Sequence, residues 1–345
     1  MIRIHNIYYM LAYAFQTLRE QGYRSVASED FKNVAELLAA ILARGVNRLV
    51  KRGLGKEYVS LTEPTSTIRG KIDVSETVKT LALERKQAIC SYDVFSVNSY
   101  MNRIVKSTIL RLLRADIAKI RKKELRKLLA FFINVDEIEL HSVDWNVQYN
   151  RNNQDYRLLI SICYLVAKGL LQTQSTGSLK VMDFLDEQRM HRLYEKFILE
   201  YYRKEFPQIS ANASQIQWQL DDGMNAMLPI MQSDIMLVYR DKTLIIDAKY
   251  YARSTLVLFD KHILHSGNLY QIFAYVKNKE AELANAPHEV SGMLLYARTD
   301  EDTYPEHEYR MSGNRIEVRT LNLDAEFSSI KAELDGIVEK YFDLG

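Results

Sequence analysis

Apolar residues recur at helical spacing over 6–20 and again over 30–51, with a polar turn near Gly22 between the two stretches. From Glu57 to Asp93 the texture changes. There YVSLTEPTSTIRGKIDVSETV carries threonines, Pro64 and Gly70, which predicts short strands and loops. Helical periodicity returns in NSYMNRIVKSTILRLLRADIAKI (98–120), in KIRKKELRKLLAFF (119–132) and over 155–172. The segment 172-QTQSTGS-178 is small and polar and predicts a boundary, with one domain over 1–178 and a second over 179–345.

The second half follows a different order. A helix is predicted at about 188–206, then a proline and a polar loop, then two apolar runs, IMLVY (235–239) and LIID (244–247), around the turn RDKT. A helix at 268–280, a strand at 291–298, a strand near 314–321 and a helix near 325–342 complete the chain. Helix, strands, helix, strand predicts an α+β or α/β domain with a mixed central sheet flanked by helices, preceded by a mixed helical-and-strand domain.

Composition narrows the class. The chain has 345 residues, of which 47% are hydrophobic and 26% charged, and its formal net charge is +2. There is no global polyelectrolyte signal, so DNA contact would come from local patches. Cys90 and Cys163 lie far apart, which argues against a cysteine-based zinc site or a disulfide framework and suits a reducing cytoplasm. Nowhere do 18 apolar residues run together, so no membrane span is expected.

The chemistry is concentrated in 233-SDIMLVYRDKTLIIDAKYYAR-253. Its apolar runs read as strands covered on both faces. If they fold as a hairpin about residues 240 and 241, position 234 faces 247, and 249 faces 232. Alternation puts Asp247 and Lys249 on one face, with Asp234 opposite Asp247. Opposed carboxylates repel unless something positive lies between them. A hard divalent cation such as Mg²⁺ suits two oxygen donors and a phosphate, and a lysine beside it suits metal-assisted phosphodiester hydrolysis. The competing reading is a solvated ion pair at a strand end, which is worth little.

The spacing D-x₁₂-D-A-K after a helix resembles the PD-(D/E)XK nuclease core, with Ser233 standing where the family has proline. That resemblance implies Asp234 and Asp247 as metal ligands, Lys249 as catalytic, and Glu195 on the preceding helix as a further acid. Gln271 and Tyr275 match the Q-x-x-x-Y pattern of RecB-like members and share a helical face. NIYYMLAYAF, TIRGKIDVSETV (67–78), FSVNSYMNRIVKSTI (95–109) and LIIDAKYY together closely resemble the McrC family, from about residue 5 to the C-terminus. The resemblance implies the nuclease subunit of a modified-cytosine restriction complex, dependent on Mg²⁺ or Mn²⁺. It also implies double-stranded DNA as substrate and an N-terminal domain that binds a hexameric McrB-like AAA+ GTPase and stimulates it. A second copy of the complex would cut the other strand.

Weaker signals stand beside these. Arg253 and Gln271 are candidate DNA contacts, and Arg69 and Lys71 are candidate contacts to the GTPase. GLGK (53–56) lacks the first glycine and the hydroxyl residue of a phosphate loop, so no nucleotide is expected on this chain. His191 and Glu195 share a helical face without forming a zincin motif, and Tyr201 and Tyr202 read as packing residues. Two alternatives remain open: a non-catalytic activating subunit that keeps the fold as a scaffold, and a stand-alone RecB-like nuclease.

Overall fold

The computed structural model of the protein describes residues 2–15, 18, 23, 26, 29–172, 187–223, 226–251, 255–258, 261–298 and 304–344. Contacts divide the chain into two units, Met1–Glu20 with Leu185–Gly345, and Gln21–Phe184.

The chain opens on α1 (Ile4–Ala14), which belongs to the first of these. The Asn6 side chain donates to the carbonyls of Leu323 (2.8 Å) and Ala325 (2.9 Å). Tyr13 donates to Glu205 at 2.9 Å, and Tyr9 stacks on Phe327 with centroids 4.2 Å apart. The division predicted over 1–178 and 179–345 is therefore corrected at the chain start: α1 packs with the C-terminal residues. The predicted linker, from residue 173 on, lies outside the described residues.

In the unit 21–184, α2 (Val34–Arg52) is capped by Asn33, which accepts from Glu36 N at 2.9 Å, while Glu36 accepts from Lys32 N at 3.1 Å. Its Leu37, Leu38, Ile41 and Val46 are fully buried. Gly53, at φ 91°, ends the helix, and Gly55 N donates to Tyr156 at 2.8 Å. The GLGK stretch is thus a helix terminus with its backbone engaged. β1 (Glu57–Thr65), β2 (Lys71–Ile72), α3 (Val74–Lys79) and β3 (Ala88–Ser96) follow, with the strands antiparallel in the order β1-β3-β2. Gly70, at φ 63°, makes the turn into β2. A Cβ there would lie 2.3 Å from the Ser91 carbonyl. Tyr58 and Phe95 of this small sheet, and Ile68 and Leu83 in its connections, are exposed. Three helices complete the unit: α4 (Tyr100–Arg114), α5 (Lys119–Leu129) and α6 (Tyr156–Gln172). On basic α5, Arg121 is buried between Glu29 (2.5 Å) and Glu124 (2.6 Å).

The other unit resumes with α7 (Glu187–Glu205), then β4 (Ser210–Asn212), β5 (Gln215–Ile216), β6 (Met231–Gln232), β7 (Ile235–Tyr239) and β8 (Lys242–Lys249). After β9 (Thr255–Leu258) and β10 (Lys261–Leu264) come α8 (Ser266–Glu282), β11 (Glu289–Ala297), β12 (His307–Met311), β13 (Asn314–Leu321) and α9 (Phe327–Phe342). Six strands form one sheet in the order β12-β13-β11-β8-β7-β4. β8, β11 and β13 run parallel, and β4, β7 and β12 pair antiparallel to their neighbours. The mixed sheet is the one that the element order predicts. The crossover from β8 to β11 carries α8, whose Ile272, Tyr275 and Val276 pack with Ile245, Leu294 and Ile316. Burying such side chains is worth roughly 1.5–3 kcal/mol each. Leu244 and Ile246, alternating onto the opposite face, are fully buried too. Cover on both faces explains why these strands read as unbroken apolar runs. α7 and α9 are tied by Tyr201 donating to Asp335 (2.5 Å) and Tyr202 donating to the Leu334 carbonyl (3.2 Å). Both tyrosines are fully buried, as packing residues would be.

Candidate active site

The two strand acids singled out in the sequence come together at the end of β8. β7 and β8 are joined by a two-residue turn in which Arg240 takes a left-handed backbone, φ 55°. Their register runs from Tyr239↔Lys242 to Ile235↔Ile246, so Asp234 meets Asp247 one step further, as the numbering predicts. The ladder stops before that pair, however. The backbone bends at Asp234, and its carboxylate takes over as acceptor for Ala248 N at 2.9 Å. Lys249 does not face Gln232, as symmetry would have it. Gln232 pairs with Gln215 of β5, and Lys249 lies beside Tyr296 of β11.

Asp247 is 1% exposed and Lys249 7%. The Lys249 ammonium sits 2.7 Å from Asp247 Oδ2 and donates to Gln271 Oε1 at 3.2 Å. Gln271 Nε2 in turn donates to the Tyr275 hydroxyl at 2.9 Å. Both ends of the Gln271 amide are therefore engaged within the protein. The residues predicted on α8 meet the strand lysine because α8 starts beside the end of β8.

Burial pushes the Asp234 carboxyl up to about 8, reinforced by the charges of Asp247 and Glu195. Asp247 is raised as well, by burial, against the pull of Lys249 and of a hydrogen bond with Asp234. The two acids thus oppose each other's charge, as like charges forced together do. For Lys249 burial works against the ammonium, but Asp247 and Asp234 outweigh it and leave its pKa raised.

Glu195, on α7, feels the same group: burial raises its pKa, and Lys249 and Asp247 act on it from opposite directions. Its carboxylate lies 3.0 Å from His191 Nε2, one helical turn away. Among the described residues, no cluster of three or more His, Cys, Asp or Glu side chains is arranged to hold a metal. The predicted trio of Asp234, Asp247 and Glu195 is thus a tight pair with a third acid at its margin. A cleft of about 360 Å³ opens beside Asp234 and Glu195, lined also by Arg192, Lys196, Gln232 and Ser233.

Sequence reasoning missed the chain of polar groups beyond Lys249. Tyr251 donates to Asn268 Oδ1 (3.3 Å), and Asn268 Nδ2 donates to the Tyr296 hydroxyl (2.9 Å). These three residues come from separate segments with no shared spacing, so no pattern could have joined them. Arg253 lies outside the described residues. Arg69 and Lys71 lie in the other unit, where the Arg69 guanidinium sits 6.0 Å from the centre of the Tyr92 ring and Lys71 pairs with Ser91 in the small sheet.

Residues 4–297 match the profile of a protein family described as McrBC 5-methylcytosine restriction system component. The chain belongs to that family. Among relatives of the McrBC family, it is 29% identical to the type IV methyl-directed restriction enzyme EcoKMcrBC of Escherichia coli (strain K12), over 99% of this chain and 98% of that protein. A solved assembly of Thermococcus gammatolerans McrB AAA+ hexamers with bound McrC matches 94% of this chain and 75% of its own, at 18% identity and a TM-score of 0.47. A second Thermococcus gammatolerans McrBC complex matches 58% of each chain at 20% identity, with a TM-score of 0.38. Among the described residues, no helix is long and apolar enough to cross a membrane.

Proposed function

We propose that this chain is the nuclease subunit of a modified-cytosine restriction complex, a Mg²⁺-dependent DNA endonuclease of the PD-(D/E)XK type. One observation carries the reading: the Asp234 and Asp247 carboxylates are brought together at the end of β8, with the Lys249 ammonium 2.7 Å from Asp247. Such a donor set suits a divalent ion. Mg²⁺ is commonly held by one or two carboxylates, with water and substrate phosphate completing its shell, so the pair suffices without a third acid. Mn²⁺ accepts the same oxygen donors.

Asp234 and Asp247 would hold the ion, with Glu195 in reserve beside them. When bound, the ion polarises a phosphoryl oxygen and makes water a stronger nucleophile. Lys249 brings a permanent positive charge to the place where negative charge develops on the phosphate. Gln271 keeps that ammonium in place, and Tyr275 keeps Gln271 in place.

The relatives' names supply a partner for this chain, a McrB-like AAA+ hexamer; as the resemblance to the McrC family implies, that partner would bind and hydrolyse GTP and this chain would stimulate it. Double-stranded DNA would be the substrate, and a second copy of the complex would cut the second strand. The exposed Tyr58 and Phe95 of the small sheet, with Ile68 and Leu83 in its connections, support a docking role for the unit 21–184, since exposed apolar patches mark interaction sites. Lys71 belongs to the same sheet, and Arg69 lies in the loop that leads into it. The test is co-purification with the GTPase partner, then cleavage with Mg²⁺ and GTP on methylated and unmethylated DNA. GTP-dependent cutting of the methylated DNA alone is expected; no cutting under any condition overturns the reading. The scaffold alternative rests on Glu195 standing at the margin of the acid pair, turned to His191, and Asp247→Ala separates the two. Lost cleavage with intact assembly supports the nuclease, and unchanged complex activity supports the scaffold.

A further inference from the structure

Two cations on α7 have no part in the chemistry described so far. Arg192, Glu195, Lys196 and Leu199 follow at i, i+3, i+4 and i+7, which places them on one stripe of the helix, and all four line the cleft beside Asp234. Arg192 is exposed. The Lys196 ammonium is 4.1 Å from the centre of the Phe15 ring, a distance at which a cation is attracted to the ring face. Phe15 directly follows α1, so the first helix of the chain braces one wall of the cleft. At about 360 Å³ the cleft falls in the range of small-ligand pockets, ~300–1,000 Å³. Its lining includes the acids Asp234 and Glu195, together with Gln232 and Ser233.

We propose that this cleft is a phosphate subsite for the DNA strand, in which Arg192 and Lys196 hold a backbone phosphate next to the one that is cut. The assignment rests on the nuclease reading and extends it by giving the strand a direction, off the metal-binding acids and along α7. A guanidinium presents a planar fork of donors that matches two phosphate oxygens, and an ammonium adds a point charge. Phosphate contacts of this kind position a duplex and carry no sequence information. That suits a subunit whose choice of target is made elsewhere.

The full-length chain is titrated with a short DNA duplex at low ionic strength in EDTA, where nothing is cut and no metal contributes, and the titration is repeated at rising salt. Arg192→Gln should weaken binding several-fold and reduce the slope of log affinity against log salt by about one. Arg192→Lys should restore the slope. Phe15→Leu should weaken binding less, because the ammonium stays but loses its brace. Glu195→Gln should tighten binding by removing a like charge from the cleft. Circular dichroism checks that each variant is folded, which is expected of an exposed arginine. Unchanged affinity and slope in Arg192→Gln overturn the subsite, as does the absence of any binding by the wild type. Because the measurement involves no cleavage, the two proposals fail separately. A subsite confirmed here, with Asp247→Ala cutting as well as wild type in the complex, would sink the nuclease reading alone.

Discussion

Asp234 holds a proton at pH values where an ordinary aspartate has lost it. Its folded pKa of about 8 stands above the ordinary 3.8 of an aspartate because burial and two neighbouring acids oppose its charge. Between those values the folded chain binds a proton that the unfolded chain has released, so stability falls as pH rises through the window. In EDTA the melting temperature should therefore decline from about pH 4 toward pH 8. Asp234→Asn should flatten that decline, and Mg²⁺ should recover stability most at the alkaline end, all followed by thermal denaturation. A variant with the same pH slope as wild type would show that Asp234 is not the group responsible. Asp247→Ala should abolish cleavage in the assembled complex and leave co-purification with the GTPase intact. Gln271→Ala removes the acceptor that fixes Lys249. Loss of such a supporting contact costs roughly 10–100-fold in activity, and a fall confined to kcat would mark it as a positioning effect.

Among the elements, α8 matters because it brings Gln271 to Lys249, and its seat depends on a glycine. Gly292 of β11 lies under the helix, and a Cβ there would approach Val276 Cγ2 to 2.8 Å and Ile272 Cγ1 to 2.9 Å. Gly292→Ala should push α8 outward, cost about 1–3 kcal/mol in stability as overpacking does, and lower cleavage by moving Gln271. Urea denaturation and single-turnover cleavage measure the two effects, and full activity in the variant would show that the seat of α8 is not critical. The long helices and the strands of the large sheet were legible because burial on one stripe or on both faces leaves a period in the sequence. The strands β4, β5 and β6 left no such trace. They are two or three residues long, too short to show a period. Register arithmetic found the acid pair correctly, yet it misplaced Lys249, because the ladder ends in a bend at Asp234 that symmetry does not anticipate.

At the scale of the whole molecule, α1 belongs with residues that lie more than three hundred positions downstream. Asn6 reaches the carbonyls of Leu323 and Ala325, and Tyr9 stacks on Phe327. Deleting residues 1–20 should therefore destabilise the unit that carries the acids and leave the unit 21–184 folded. Limited proteolysis of the truncated chain reads this directly, and loss of 21–184 instead would contradict it.

The sequence by itself marked out the candidate chemical groups. The identities and spacing of Asp234, Asp247, Lys249, Gln271 and Tyr275 follow from short-range rules, strand alternation and helical turn, which act over a few residues. Only tertiary structure decided the rest. It bent the strand at Asp234 so that its carboxylate caps Ala248, and engaged Glu195 with His191 at the margin of the acid pair. It also joined Tyr251, Asn268 and Tyr296, and set Lys196 over Phe15. Each of these contacts joins residues by the way surfaces pack or the backbone turns, and no periodicity along the chain encodes it.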